Sequence, residues 1–140
     1  MRRVITFRLA ANALLLLFCV AFLFQLSVLA GLIPTEMVWG GRLTDHEERT
    51  AGALVSLGTL LLMIGVLTLR MGPAGRATRS GPWRSIKRYD MWVIVLLFAL
   101  NTAGNLMAMD LRETLIFTPV TLVAALLAWR VALGNDDTAS

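Results

Sequence analysis

The sequence predicts an all-α integral membrane protein, a four-helix bundle that runs up-down-up-down with both termini in the cytoplasm. Three observations support this prediction. Hydrophobic residues make up 57% of the 140 residues and charged residues only 16%, whereas soluble domains are roughly 25% charged. Four apolar runs are each long enough to cross the hydrocarbon layer, which takes about 20 residues. Basic residues cluster beside one end of these runs, and the chain length predicts a single domain, 1–140.

The four predicted spans follow one another with polar segments between them. They cover residues 9–33, 50–69, 91–109 and 114–133. The second span contains no charged residue. The fourth contains only Arg130, which lies close enough to its end to extend toward the headgroup zone. The first span is longer than the apolar core of a signal peptide, about 7–15 residues, so we expect it to be retained.

Basic residues set the predicted orientation, because cytoplasmic loops of membrane proteins carry an excess of lysine and arginine. Three arginines precede the first span, and segment 70–90 carries six basic residues against one acid, Asp90. Segment 34–49 carries two arginines against four acids. Both termini and the loop 70–90 are therefore predicted to be cytoplasmic, with the polar tail 134–140. The basic loop is expected to contact anionic lipid headgroups.

Polar side chains within the spans lie toward the opposite, outer end. These residues are Gln25 and Ser27 in the first span, Ser56 and Thr59 in the second, Asn101, Thr102 and Asn105 in the third, and Thr118 and Thr121 in the fourth. Asn101 and Asn105 are four residues apart and share one helix face, and Ser56 and Thr59 continue a stripe that begins at Glu48. Polar groups facing lipid are costly, so these stripes predict an outward-facing polar pocket above an apolar inner half. The alternative is a set of satisfied helix–helix contacts without a ligand.

The segment "IPTEMVWGGRLTDHEE", residues 33–48, connects the first two spans over the mouth of this pocket. A structural interpretation accounts for most of it. Pro34 is expected to end the first helix, and Trp39 suits the membrane interface. Thr44 and Glu47 have the spacing of a capping box at the start of the second helix.

A functional interpretation uses the same segment as a lid. Arg42 would pair with Glu48 or Glu113 across the mouth of the pocket and offer charge to an incoming ligand. Trp39 would supply an apolar or stacking wall. The ligand-binding residues proposed from the sequence are Gln25, Trp39, Arg42, Glu48, Ser56, Thr59, Asn101, Asn105 and Glu113.

The string "IPTEMVWGGRL" (33–43), an acid at the head of the next helix and "NTAGN" (101–105) in the third span resemble a pattern in small four-span bacterial membrane proteins. That resemblance implies a multi-pass protein of the bacterial inner membrane and implies no activity. The chain is also similar in size and span number to the small multidrug-resistance family. That family depends on a glutamate inside its first helix, and the first span here has none.

Several functional classes are disfavoured by composition. Cys19 and His46 are the single cysteine and the single histidine, whereas a zinc site takes about four ligands of histidine, cysteine or carboxylate type. We therefore expect no metal site and no cofactor. Carboxylates remain as candidate acid–base groups, namely Glu36, Glu48, Asp110 and Glu113, and we expect the protein not to be an enzyme. The basic run is too short to indicate nucleic-acid binding.

Two functions from different classes stay open at this point. The first is binding or transport of a small polar or amphipathic molecule in the outward-facing pocket. The alternative is a non-catalytic accessory or assembly subunit of a larger membrane complex, which would contact a protein partner or form a homo-oligomer and use the polar residues only to set the fold.

Overall fold

Four helices make up most of the described chain in the computed structural model, which describes residues 5–33, 46–72, 83–107 and 111–134. They are α1 (Phe7–Leu29), α2 (His46–Met71), α3 (Trp83–Leu106) and α4 (Leu111–Ala132). These ranges contain no β-strand. Each helix includes a stretch long and apolar enough to cross a membrane: Phe7–Leu29, Thr50–Met71, Tyr89–Leu106 and Thr114–Ala132. The predicted all-α membrane bundle is confirmed.

The helices alternate in direction. Arg130 near the end of α4 contacts Ile5 just before α1, and Arg70 at the end of α2 pairs with Asp90 in α3. The starts of α1 and α3 and the ends of α2 and α4 therefore share one end of the bundle, called the arginine end below. Gln25, late in α1, lies toward the opposite end, called the glutamine end.

The helix pairs are unequal in their contacts. Among the described elements, α1 packs against α2 and α4, and α3 packs against α4. We call α1 and α4 the central helices because they pack against each other, with α2 packed on α1 and α3 packed on α4. This arrangement decides where a gap between helices opens.

The hydrophobic core lies in the half of the bundle nearest the arginine end. It includes Leu14 and Phe18 of α1, Leu67 of α2, Phe98 of α3 and Ala128 of α4. The rings of Phe18 and Phe98 stack with their centroids 5.6 Å apart. Small side chains such as Ala128 let helix backbones approach closely, which is how membrane helices gain packing contacts.

Both ends of α1 have local capping contacts. The hydroxyl of Thr6 accepts a hydrogen bond from the backbone N–H of Leu9. At the other end Gly31 has a φ of 72°, and the N–H of Leu32 donates to the carbonyl of Ser27 at 2.9 Å, a Schellman cap. Helix α1 thus ends before the predicted limit at residue 33, because this glycine ends it upstream of Pro34.

The basic segment 70–90 is partly helical. Helix α2 continues through Met71 and α3 begins at Trp83, so Asp90 lies in the second turn of a helix and not in a loop. Residues 73–82 of the expected lipid-binding loop lie outside the described residues, as do residues 135–140 of the polar tail.

Arg130 corrects a prediction. It was expected to extend toward the headgroup zone, but the residue is 0% exposed. Its Nε donates to the carbonyl of Ile5 at 2.6 Å and its Nη1 to the carbonyl of Gly134 at 3.1 Å. These two carbonyl groups accept hydrogen bonds from the guanidinium, so it turns inward instead of outward.

Candidate functional site

A cleft opens between α2 and α3. Its volume is about 370 Å³, and it is lined by Thr59, Met63, Leu97, Phe98, Leu100 and Asn101. It exists because α2 packs on α1 while α3 packs on α4. The cleft brings together two of the residues predicted from the sequence, Thr59 and Asn101.

The two polar residues of the cleft differ in what they can offer. Thr59 Oγ1 donates to the carbonyl of Val55 in its own helix at 2.8 Å, so its oxygen is left to accept. Asn101 is exposed, and its carboxamide supplies two N–H donors and one acceptor. Asn101 is therefore the most versatile hydrogen-bonding group of the cleft.

Polarity changes along the cleft. Since α2 and α3 run in opposite directions, Thr59 and Asn101 both lie toward the glutamine end, while Met63, Leu97 and Phe98 lie toward the arginine end. At a rise of about 1.5 Å per residue, the polar and apolar levels are roughly one helical turn apart. The cleft thus offers an amphipathic wall, with its polar part toward the glutamine end.

Asn105, predicted as a ligand residue, makes contacts between α3 and α4. Its Nδ2 donates to Thr121 Oγ1 at 3.3 Å, and its backbone carbonyl accepts from Thr114 Oγ1 at 2.9 Å. Thr102 Oγ1 lies 3.0 Å from Thr121 Oγ1. Such polar contacts hold membrane helices together, so this part of the polar cluster matches the alternative of satisfied helix contacts.

Gln25 and Thr118 differ from these partnered groups. Gln25 Oε1 and Thr118 Oγ1 are buried and have no hydrogen-bond partner within the part of the chain that the structure describes. Both residues lie toward the glutamine end. Two buried oxygens without partners at one level are unusual, because buried polar atoms are nearly always hydrogen-bonded.

The outcome differs among the remaining predicted residues. Glu48 is exposed in the first turn of α2, and Ser56 is half-buried. Glu113 lies in the first turn of α4, but its side chain is not among those described. Trp39 and Arg42 lie outside the described residues, so the predicted lid and its ion pair stay predictions.

Sequence reasoning missed several residues that shape this region. Met63, Leu97, Phe98 and Leu100 form the apolar wall of the cleft, and nothing in their hydropathy distinguishes them from lipid-facing neighbours. Thr118 and Thr121 of α4 were predicted to lie toward the polar end but were not among the proposed ligand-binding residues. Thr114, Thr118 and Thr121 follow the spacing of four and three residues that places side chains on one helix face.

A charged contact ties three helices at the arginine end. Arg70 Nη1 lies 2.7 Å from Asp90 Oδ1, and the two side chains are 20% and 18% exposed. Arg70 Nη2 also lies 3.4 Å from the carbonyl of Val131 in α4. Within the described ranges no three metal-ligating side chains come together.

The chain was compared with protein families, curated proteins and solved structures. No match to this chain was found among protein-family models, curated proteins or solved structures. The resemblance of residues 33–43 to small bacterial membrane proteins therefore stays a prediction, and the functional conclusion depends on the geometry described above.

Proposed function

We propose that this multi-pass membrane protein binds an amphipathic molecule from the bilayer in the cleft between α2 and α3. One observation carries the proposal: the cleft joins an apolar wall to the exposed carboxamide of Asn101 and the hydroxyl of Thr59. Ligand pockets are typically apolar with a few placed polar groups, and measure roughly 300–1,000 Å³. A volume of about 370 Å³ suits one apolar chain with a small polar head.

The route of entry follows from the surroundings of the cleft. Leu97 and Leu100 line it and are also 43% and 61% exposed, so its apolar wall continues into the surface of the bundle. That surface carries large apolar side chains on all four described helices, as expected for contact with lipid tails. An amphipathic molecule would therefore enter sideways from the bilayer with its head level with Asn101.

The orientation and location are part of the same proposal. The arginine end would be cytoplasmic in a bacterial inner membrane, because six basic residues lie in 70–90 and such residues favour the cytoplasmic side. Arg8, exposed at the start of α1, would meet anionic lipid headgroups there. The polar part of the cleft would then open toward the outer leaflet.

The proposal is tested by native mass spectrometry of the protein extracted gently from its membrane. We expect a small molecule to stay bound to the wild-type protein and to be lost in Asn101→Leu. Asn12→Leu is the matched control, because Asn12 is also exposed but lies near the start of α1, away from the cleft. Equal retention of the molecule in both variants would refute binding at Asn101.

The accessory-subunit function gives a different result in the same experiment. A helix of a partner protein would then occupy the cleft, and a protein would co-purify in place of the small molecule. A folded protein that carries a polypeptide partner and no small molecule would replace the proposed function by that alternative.

A further inference from the structure

Each of the central helices has one face that points into the bundle. On α1 the buried residues Leu14 and Phe18 lie on the same face as Gln25, which is seven residues after Phe18. On α4 the buried residues Ala125 and Ala128 lie on the same face as Thr118. Gln25 and Thr118 therefore continue the core positions of their helices from the apolar half into the polar half.

These two residues lie at one level of the bundle on neighbouring helices. The residues just before them, Phe24 and Phe117, make an edge-to-face ring contact with centroids 5.6 Å apart. Because a helix rises about 1.5 Å per residue, Gln25 and Thr118 each lie within one turn of that contact. They therefore lie at nearly the same height along the bundle, on two helices that pack against each other.

The neighbours of Thr118 are already partnered. Thr114 and Thr121, one turn away on either side, both hydrogen-bond to Asn105 of α3. Thr118 lies between them with a buried hydroxyl that has no partner in the described part of the chain. Gln25 Oε1 is likewise buried and has no hydrogen-bond partner in the described part of the chain. A polar atom buried in this way is unfavourable unless a further group forms a hydrogen bond with it.

We propose that Gln25 and Thr118 form an interior site for one uncharged hydroxyl group, which donates to Gln25 Oε1 and accepts from the Thr118 hydroxyl. A neutral group is expected because Gln25 and Thr118 are themselves uncharged, and an unpaired charge would be costly inside the bundle. The hydroxyl comes from one of two sources, a buried water molecule or the head of a neutral amphiphile.

The test uses the purified full-length protein in mild detergent and the variants Thr118→Val, Gln25→Leu and the double variant. Both changes nearly preserve side-chain volume. If one hydroxyl bridges the two residues, each single variant lowers the thermal unfolding temperature, and the double variant lowers it no further. Thr68→Val is the matched control, because Thr68 is exposed on α2 and is expected to leave the unfolding temperature unchanged.

Two added amphiphiles distinguish the sources of the hydroxyl. Dodecanoyl glycerol carries free hydroxyls, and methyl dodecanoate has the same chain without them. Greater stabilisation by the glycerol ester, lost in both single variants, assigns the site to an amphiphile head. Equal effects of the two additives, together with the non-additive losses, assign it to water.

Single variants that are as stable as the wild-type protein, or losses that add in the double variant, would overturn the interior site. The proposed function is tested separately, because Asn101→Leu is expected to release the cleft ligand while Gln25 and Thr118 are unchanged.

Discussion

Arg130 of α4 donates a hydrogen bond of 2.6 Å from its Nε to the carbonyl of Ile5, which stands just before α1. The contact joins residues near the two ends of the described chain. Arg130 is fully buried, and its Nη1 also donates to the carbonyl of Gly134. One side chain thus satisfies carbonyl groups on two segments and fixes the start of α1 against the end of α4.

The first prediction concerns this contact. Arg130→Leu leaves both carbonyls without their donor and is expected to lower the free energy of unfolding by roughly 1.5–3 kcal/mol, the range for a hydrogen bond to a charged group. Unfolding by SDS in mixed micelles, followed by tryptophan fluorescence, measures it.

Two further variants give controls for that experiment. Arg130→Lys keeps the charge but not the planar fork of donors, so an intermediate loss is expected. Arg8→Leu removes an exposed arginine and should change the free energy little. If the free energy of unfolding of Arg130→Leu equalled that of the wild-type protein, the contact would not stabilise the bundle.

The second prediction concerns Arg70 and Asp90, whose charged atoms lie 2.7 Å apart with about a fifth of each side chain exposed. A double-mutant cycle with Arg70→Gln and Asp90→Asn is expected to give a coupling free energy of about 1 kcal/mol. The same SDS titration provides the four unfolding free energies. Coupling within experimental error of zero would contradict a stabilising ion pair between α2 and α3.

The third prediction separates two asparagines of α3. Asn105→Leu removes the hydrogen bond to Thr121 and is expected to destabilise the protein by about 1 kcal/mol, as polar contacts between membrane helices do. Asn101→Leu changes an exposed residue and is expected to keep the unfolding free energy while losing the cleft ligand. Equal stability of the two variants would argue against the contact role of Asn105.

The fourth prediction concerns Gly31, whose φ of 72° closes α1. Gly31→Ala forces a side chain into the left-handed conformation and should cost about 1–2 kcal/mol. Gly58→Ala is the matched control, because a Cβ there meets no atom within 4 Å and alanine favours a helix by up to about 1 kcal/mol. If Gly31→Ala were more stable than Gly58→Ala, Gly31 would not stabilise the end of α1 as a cap.

The sequence by itself determined the four helices and their membrane character. Apolar runs of about 20 residues with few charges favour helices in lipid, since a helix satisfies its backbone polar groups within the segment. It also identified the polar end of the bundle, because Gln25, Asn101 and Asn105 can be placed in depth by counting residues along alternating helices. In the sequence, Gly31 is a weaker indication of a helix end than Pro34. The end of the first helix was therefore predicted at residue 33, a few residues too late.

Only the tertiary structure decided which helices pair and what each polar residue contacts. Spans with apolar side chains on all faces do not reveal the face that packs, so the central pair of α1 and α4 and the cleft beside Asn101 could not be predicted. Arg130 turns inward because carbonyls of Ile5 and Gly134 lie within reach, a fact of three-dimensional proximity. The same proximity bonds Asn105 to Thr121 and leaves the buried oxygens of Gln25 and Thr118 without partners in the described chain.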